Sequence, residues 1–348
     1  MSGVQTITLD AEAEGQRLDR WVRKAFPHVT QGRIEKACRK GEIRLDGGRV
    51  KPATRLAAGQ ALRLPPMPDA PSAPAVVTRR ISEADAEMIR AAVLYRDDDV
   101  IALNKPPGLP VQGGSGQGAR HVDGLAPALA FDGEPPKLVH RLDKDTSGLL
   151  ILGRTGRAAA ALAAAFKSKA TRKIYWAVTA GVPHPRAGSI RYGLAKQPGH
   201  GPHGAGEKMV TIHPDEVASV EGAKRALTDY IVIDNAGQRA AWVALVPVTG
   251  RTHQLRAHMA ALGCPIVGDG KYGTNAQTNE GDGWGAQLGG EVSRKLHLHA
   301  RSLHLPHPSG RGDLHLTAPL PEHMKRTWAL FGWSERDAPE DPFAEEEA

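Results

Sequence analysis

Apolar positions recur at helical spacing twice near the start of the chain. In RLDRWVRKAF (17–26), Leu18, Trp21, Val22 and Ala25 share one face. In TQGRIEKACRKG (30–41), Ile34, Ala37 and Cys38 repeat the pattern, with Thr30 placed to cap the helix and Gly41 to end it. The period then shortens to two in EIRLDGGRVK and QALRLP, where Asp-Gly-Gly supplies a hairpin turn. Two helices and a small hairpin therefore make one module over 15–64. The stretch PPMPDAPSAPAVVT carries five prolines in 14 residues and reads as an extended linker, 65–79.

Beyond the linker the pattern is mainly that of strands. VLYRDDDVIALNKP, LVHRLD, GLLILG, RKIYWAVTAG, TDYIVID and AAWVALVPVTG are short apolar or alternating runs. RAAAALAAAFKSKA is an Ala-rich helix, and THQLRAHMAALG reads as a second, ending at Gly263. Strands outnumber helices and are often joined by short turns. That predicts an α+β body over 80–333 with a mixed, mostly antiparallel sheet rather than a doubly wound one.

Charge sharpens this division. The net charge of the 348 residues is +7, but Gly15–Leu64 holds 13 basic residues against 4 acidic ones. Arg17, Arg20, Arg33, Lys36, Arg39 and Lys40 fall on the two helices. A basic module suggests a polyanionic partner, nucleic acid above all, although a solvated charged surface has the same composition. Few aromatics accompany these cations, so the module is expected to read backbone and shape rather than sequence. The segment 334–348 holds 7 acidic residues and 1 basic, and is expected to be a disordered tail. No apolar run is long enough for a membrane span, and no secretory signal opens the sequence. Cys38 and Cys264 stand far apart, which fits a reducing, cytoplasmic setting.

Most familiar chemistries find no footing. LHLHARSLHLPHP is dense in histidine but reads as a strand with histidines on one face, and THQLRAH lacks the acid a zinc protease needs, so no metal site is expected. QGGSGQG (112–118) has neither the Gly-Lys-Ser/Thr of a phosphate loop nor the strand that precedes a serine elbow. The segment HRLDKDTSG (140–148) is different. Asp143 lies between Arg141 and Lys144, a field that favours an ionised nucleophile over a general acid. Strict alternation from Val139 puts Val139, Arg141 and Asp143 on one strand face, and leaves Asp145 to cap a Thr-Ser-Gly turn. On the residues alone, Asp143 is either a catalyst or half of a surface ion pair. A carboxylate-pair glycosidase would need Asp143 and Asp145 facing one substrate, which alternation disfavours.

LVHRLDKDTSGLLIL (138–152) resembles the signature motif of the RNA pseudouridine synthases, in the branch named for RluA, RluC and RluD. Four other segments resemble family motifs and follow in the family's order: VIALNKPPGLPVQGG (100–114), RKIYWAVTAG (172–181), PVTGRTHQLRAHMAALGCPIVGDGKYG (247–273) and LHLHARSLHLPHP (296–308). The module at 15–64 resembles the S4-type RNA-binding domain of the RluC and RluD types.

The resemblance implies isomerisation of uridine in RNA with no metal or organic cofactor. It also implies that the essential aspartate is Asp143, that Tyr175 packs against the base and helps remove the C5 proton, and that Arg256 pairs with the aspartate, with Arg251 as its competitor. Attack at C1′, attack at the base and proton abstraction from the sugar all begin from an ionised carboxylate. Arg141 and His140 become candidates for contacts to a flipped nucleotide, with Arg251 and His253 beside them, and Lys105 is structural or RNA-facing. Cys264 stands where a histidine is common and reads as a small buried residue. The Gly/His-rich loop at 196–210 leans toward RNA contact, while 273–291 is either an RNA loop or a surface insertion. The implied substrate is 23S ribosomal RNA or its precursor, with specificity of the RluC type, or alternatively of the RluD type. The implied protein is a monomer. A non-catalytic RNA-binding assembly factor is the alternative from another class.

Overall fold

The computed structural model describes residues 3–27, 29–67, 81–113, 120–131, 133–168, 171–197, 208–273 and 291–344. The chain divides into two compact units, Met1–Arg80 and Ile81–Ala348.

The small unit runs β1 (Gln5–Thr8), α1 (Leu18–Ala25), α2 (Gln31–Lys40), β2 (Arg44–Leu45), β3 (Gly48–Arg49) and β4 (Ala61–Leu64). Its antiparallel sheet has the order β1-β4-β2-β3. The helical spacing read from the sequence buries Leu18, Val22, Ile34, Ala37 and Cys38 in one core with Leu62 and Leu64. Gly41 ends α2 in the left-handed conformation (φ 72°). The hairpin turn places Asp46 and Gly47 at positive φ, as a two-residue primed turn requires. Of the proline-rich stretch, Met67 packs into this core, while 68–79 lie outside the described residues.

The large unit opens with α3 (Glu83–Ala91), β5 (Val93–Arg96), β6 (Val100–Lys105) and the one-turn helix α4 (Val122–Leu125). It continues through β7 (Lys137–Leu138), β8 (Ser147–Gly153), α5 (Gly156–Lys167), β9 (Arg172–Ala180), β10 (Ala187–Ile190), β11 (Gly193–Lys196) and β12 (Met209–Ile212). It closes with β13 (Thr228–Ala236), β14 (Ala240–Pro247), α6 (Gln254–Ala261), β15 (Leu298–Pro306), β16 (Asp313–Thr317) and α7 (Glu322–Phe331). Among the described residues, ten strands form one sheet in the order β10-β13-β14-β9-β15-β8-β6-β5, with β16 added to β15 and β7 to β8. Only β15 and β8 pair in parallel. The α+β class with a mostly antiparallel sheet is therefore as expected.

The central strands are buried on both faces, which explains their continuous apolar runs. Every residue of β8 is buried, and Leu150, Ile151 and Leu152 are fully so. Gly148 sits at the parallel seam with φ 104°, so close to the backbone of Ala300 that a side chain there would lie 2.7 Å from its nitrogen. On strands β9 and β14, Trp176 and Trp242 pack with Trp328 of α7 and Trp333 just after it, with Arg301 4.1 Å above the Trp176 ring.

Two expectations fail here. The run LVHRLD is strand only at Lys137–Leu138. Residues 139–146 form a loop, and Ser147-Gly148 begin β8 rather than completing a turn. Alternation therefore has no purchase on Arg141 and Asp143, because the backbone leaves the sheet before it reaches them. The acidic segment is not a disordered tail over its described part, residues 334–344. Trp333 is buried just before it, Glu335 pairs with Arg301 at 2.6 Å, and Asp341 pairs with Arg172 at 2.5 Å. Acidic composition alone does not free a segment whose carboxylates meet fixed arginines. Residues 345–348 lie outside the described residues.

Candidate active site

The loop 139–146 joins two paired strands, β7 and β8, and carries Asp143. It is fastened on both sides. His140 Nε2 accepts the Ile151 amide at 2.9 Å, and its ring stacks on Phe166 of α5 at 4.1 Å. Lys105 Nζ donates to the carbonyls of Pro106, Leu109 and Lys144 at 2.9, 3.0 and 3.0 Å, and the Gly108 amide also donates to Lys144 O. Three carbonyl acceptors use all three N–H groups of an ammonium. Burial pulls the lysine down to about 7, opposed by Asp145 and Asp143, but a neutral amine would leave one carbonyl short of a donor. The geometry therefore favours the charged form.

Arg256 approaches from α6. This helix is almost wholly buried although it reads as polar, because its polar groups are satisfied. Gln254 accepts from the Arg251 amide and the Thr249 hydroxyl, and donates to Leu227 O and Thr228 Oγ1. His258 contacts Thr228 Oγ1 and Tyr192 O. Leu255 and Met259 face the apolar core. The guanidinium spends its Nε and one terminal nitrogen on the buried Asp269, both at 2.7 Å. Its remaining nitrogen, Nη1, lies 3.5 Å from Asp143 Oδ2. Burial opposes the charge on Arg256, but the pair with Asp269 outweighs it and raises its pKa. Asp269 is held in turn by the amides of Lys271 and Tyr272 at 2.9 and 3.1 Å.

Tyr175 stands on β9 between Leu245 of β14 and Ala300 of β15. Burial, and then the nearby Asp143 charge, push its pKa well above the ordinary tyrosine range. It is a neutral phenol at physiological pH and forms part of the cavity wall. His253 precedes α6 in the left-handed region (φ 52°), uncommon for a residue with a side chain. Its Nδ1 lies 3.0 Å from the Tyr272 hydroxyl and its Nε2 3.9 Å from Asp143. Burial lowers its pKa, against the pull of Asp143, and favours the neutral ring.

These groups line a cavity of about 630 Å³. Asp143, Tyr175, Arg256, His140, Arg141, Arg251 and His253 all reach it, whereas Asp145 and Lys105 do not. Arg141 and Arg251 are exposed at its rim, and Arg251 Nε donates to Arg225 O, so Arg256 rather than Arg251 is the partner of Asp143. Two expectations need correction. Lys105 is fully buried and cannot face RNA. Asp145 is exposed and makes no side-chain hydrogen bond among the described residues, while the turn is closed by the Thr146 amide on Asp143 O at 3.2 Å. His140 lines the cavity as a neutral ring, its pKa pushed down to about 3 by burial and then by Lys173.

The sequence reading missed Asp269, Tyr272, Phe166 and Lys173. Asp269 and Tyr272 sit in the quoted GDGKYG run, but nothing in the spacing showed that the chain doubles back there onto α6. Lys173, two residues before Tyr175 on β9, is largely buried and lines the same cavity. In the small unit Arg20, Arg33, Lys36, Arg39 and Lys40 are exposed. Arg17 is partly engaged, with Asp19 at 2.6 Å. Cys264 lies in the apolar core and burial raises its pKa, as suits a packed thiol. The loop positions 198–207 and 274–290 lie outside the described residues.

A carboxylate held by a buried guanidinium, in a cavity lined by a tyrosine and bordered by exposed arginines, suits an enzyme with an anionic substrate. Residues 99–261 match the family of RNA pseudouridylate synthases, and residues 16–62 match the S4 domain. The ribosomal large subunit pseudouridine synthase C of Escherichia coli is 34% identical over 326 residues, 93% of this chain and 95% of that protein. Its namesake in Rickettsia felis is 34% identical over 311 residues, 88% of this chain and 93% of that protein. Among solved structures, human RNA pseudouridylate synthase domain containing 4 aligns with a TM-score of 0.58 at 30% identity, covering 71% of this chain and 95% of that one. The chain belongs to the RNA pseudouridylate synthase family.

Proposed function

We propose that the protein converts uridine to pseudouridine in large-subunit ribosomal RNA, with Asp143 as the essential carboxylate. The observation that carries this reading is the pairing of Asp143 with Arg256 in a cavity walled by Tyr175. A volume of about 630 Å³ lies within the range of small-ligand sites and suits one nucleotide taken out of its stack. The reaction balances within the substrate. The N1–C1′ bond breaks, the C5–C1′ bond forms, C5 loses a proton and N1, freed from the sugar, gains one, so no oxidant or cofactor is required.

In this reading Arg256 orients Asp143 and holds it anionic, and Tyr175 packs on the uracil. Arg141 and Arg251 at the rim contact phosphates, and His140 and His253 shape the pocket as neutral rings. The exposed cations of the small unit hold the RNA backbone. The two relatives named for the ribosomal large subunit support that substrate and a specificity of the RluC type. Ribosomal RNA as substrate supports a cytoplasmic location. No helix of the described residues is long and apolar enough to cross a membrane.

Chemical mapping of pseudouridine in ribosomal RNA from cells lacking the protein tests this. Specific positions lose pseudouridine on deletion, wild type and Asp145→Ala restore them, and Asp143→Ala does not. An unchanged map on deletion, with no activity from the pure protein, would overturn the proposal and leave a non-catalytic RNA-binding role.

A further inference from the structure

The hairpin β15–β16 gathers side chains that the isomerisation does not use. In its register His304 lies directly opposite His315, and Pro306 opposite Asp313. The two imidazoles stack with centroids 3.9 Å apart, tilted by 23°. Asp313 reaches diagonally to His304, Oδ2 to Nε2 at 3.1 Å. One ligand atom from each of the three residues lies within 4.8 Å of the other two. None of them lines the catalytic cavity. His304 and His315 instead line a separate recess of about 280 Å³, to which Glu340 and Asp341 also contribute.

We propose that His304, His315 and Asp313 form a surface site for a divalent transition ion of the zinc type. Two imidazoles and a carboxylate suit borderline ions of this kind, whereas magnesium and calcium seek oxygen alone. Tetrahedral zinc with bonds of about 2.0 to 2.2 Å holds its ligand atoms roughly 3.3 to 3.5 Å apart. The Asp313–His304 contact is already near that spacing, and the third atom has little distance to close. Side-chain exposures of 43% for His304 and 51% for Asp313 leave both free to rotate toward an ion, with the His304–His315 stack opening so that the two ring nitrogens converge. Three protein ligands leave a fourth position for water or for the Glu340 carboxylate at the recess.

The ion would act as a clasp. Among the described residues β16 pairs with β15 alone, so beyond the packing of Leu314 and Leu316 its attachment depends on one ladder of hydrogen bonds. A metal bridging opposed residues would link the two strands through side chains as well. Because an ion that binds only the folded form stabilises it by mass action, occupancy would raise the resistance of this edge to opening.

Calorimetric titration of the full chain with zinc chloride tests the site, against His304→Ala/His315→Ala and Asp313→Asn. The expected result is one tight equivalent in the wild type that weakens at least about tenfold in Asp313→Asn and disappears in the double variant. Cobalt(II) added in place of zinc should give the absorption of a tetrahedral nitrogen–oxygen site in the wild type alone. Pseudouridine formation is expected to be equal in all three proteins, which separates this site from the catalytic reading. Equal zinc binding by the wild type and the double variant would overturn the proposal, as would no binding by the wild type at about 100 μM zinc.

Discussion

Arg256 divides one guanidinium between two carboxylates with different duties. Asp269 takes the bidentate side and is fully buried, while Asp143 takes the remaining nitrogen and keeps a face on the cavity. The arrangement fixes Arg256 before any substrate arrives. Asp269→Asn would leave a buried guanidinium short of half its compensation. Breaking such a pair costs about 3 to 5 kcal/mol, read as a lower urea midpoint, and turnover should fall because Asp143 loses its orientation. An unchanged midpoint would show that Arg256 relaxes to Asp143 at no cost. The sequence exposed Asp143 through its cationic neighbours and Arg256 through its motif. It gave no sign of Asp269, because a contact across 13 residues depends on where the chain turns back. Lys105 was ambiguous for a related reason: a lysine's place, rim or interior, follows from the carbonyls that surround it, and these come from segments far apart in sequence.

The strands most readily read were those with continuous apolar runs. β6, β8, β9 and β14 are central and covered on both faces, so their composition reports their position. The loop 139–146 misled because Leu138 and Val139 read as an apolar strand start that alternation can be carried on from, whereas its course is set by His140, anchored on the Ile151 amide, and by Lys105, which grips it from outside. α3 and α7 passed unnoticed because each offers only a few apolar residues to the core. The parallel seam between β15 and β8 was also invisible, since a parallel pair leaves no local signature. Gly148 is its most sensitive point. Gly148→Ala combines a left-handed φ with a clash against the Ala300 backbone, and neither strand can yield without disturbing the sheet. A loss of about 3 kcal/mol or more is expected in denaturant titration, with activity falling because β8 leads directly from the catalytic loop. Near-native stability would mean that the seam is looser than described.

The two units answer different parts of one task, and each can be tested separately. Removing residues 1–80 should weaken RNA binding and flatten its dependence on salt, because several phosphate contacts go with it, while the large unit keeps its own core and its cavity. A truncated protein with the full salt dependence would place the RNA contacts elsewhere. Stability against pH follows from the large unit's buried histidines. Burial pushes His140, His297 and His299 down to about 3 and His258 to about 4. Each is neutral when folded but takes a proton when unfolded below about pH 6.5, so the unfolded chain binds more protons and stability falls as the solution is acidified. Melting temperatures should be level from about pH 8 to 7 and decline from about pH 6.5 downward. A melting temperature unchanged at about pH 5 would contradict the buried, neutral assignment. The four indoles gathered at α7 add something of another kind. Excited rings only 4.7 to 6.4 Å apart exchange energy and couple their transitions, so this corner of the protein has its own near-ultraviolet signature. Trp21, alone in the small unit, cannot produce it, and the two halves of the chain can therefore be followed by light without a label on either.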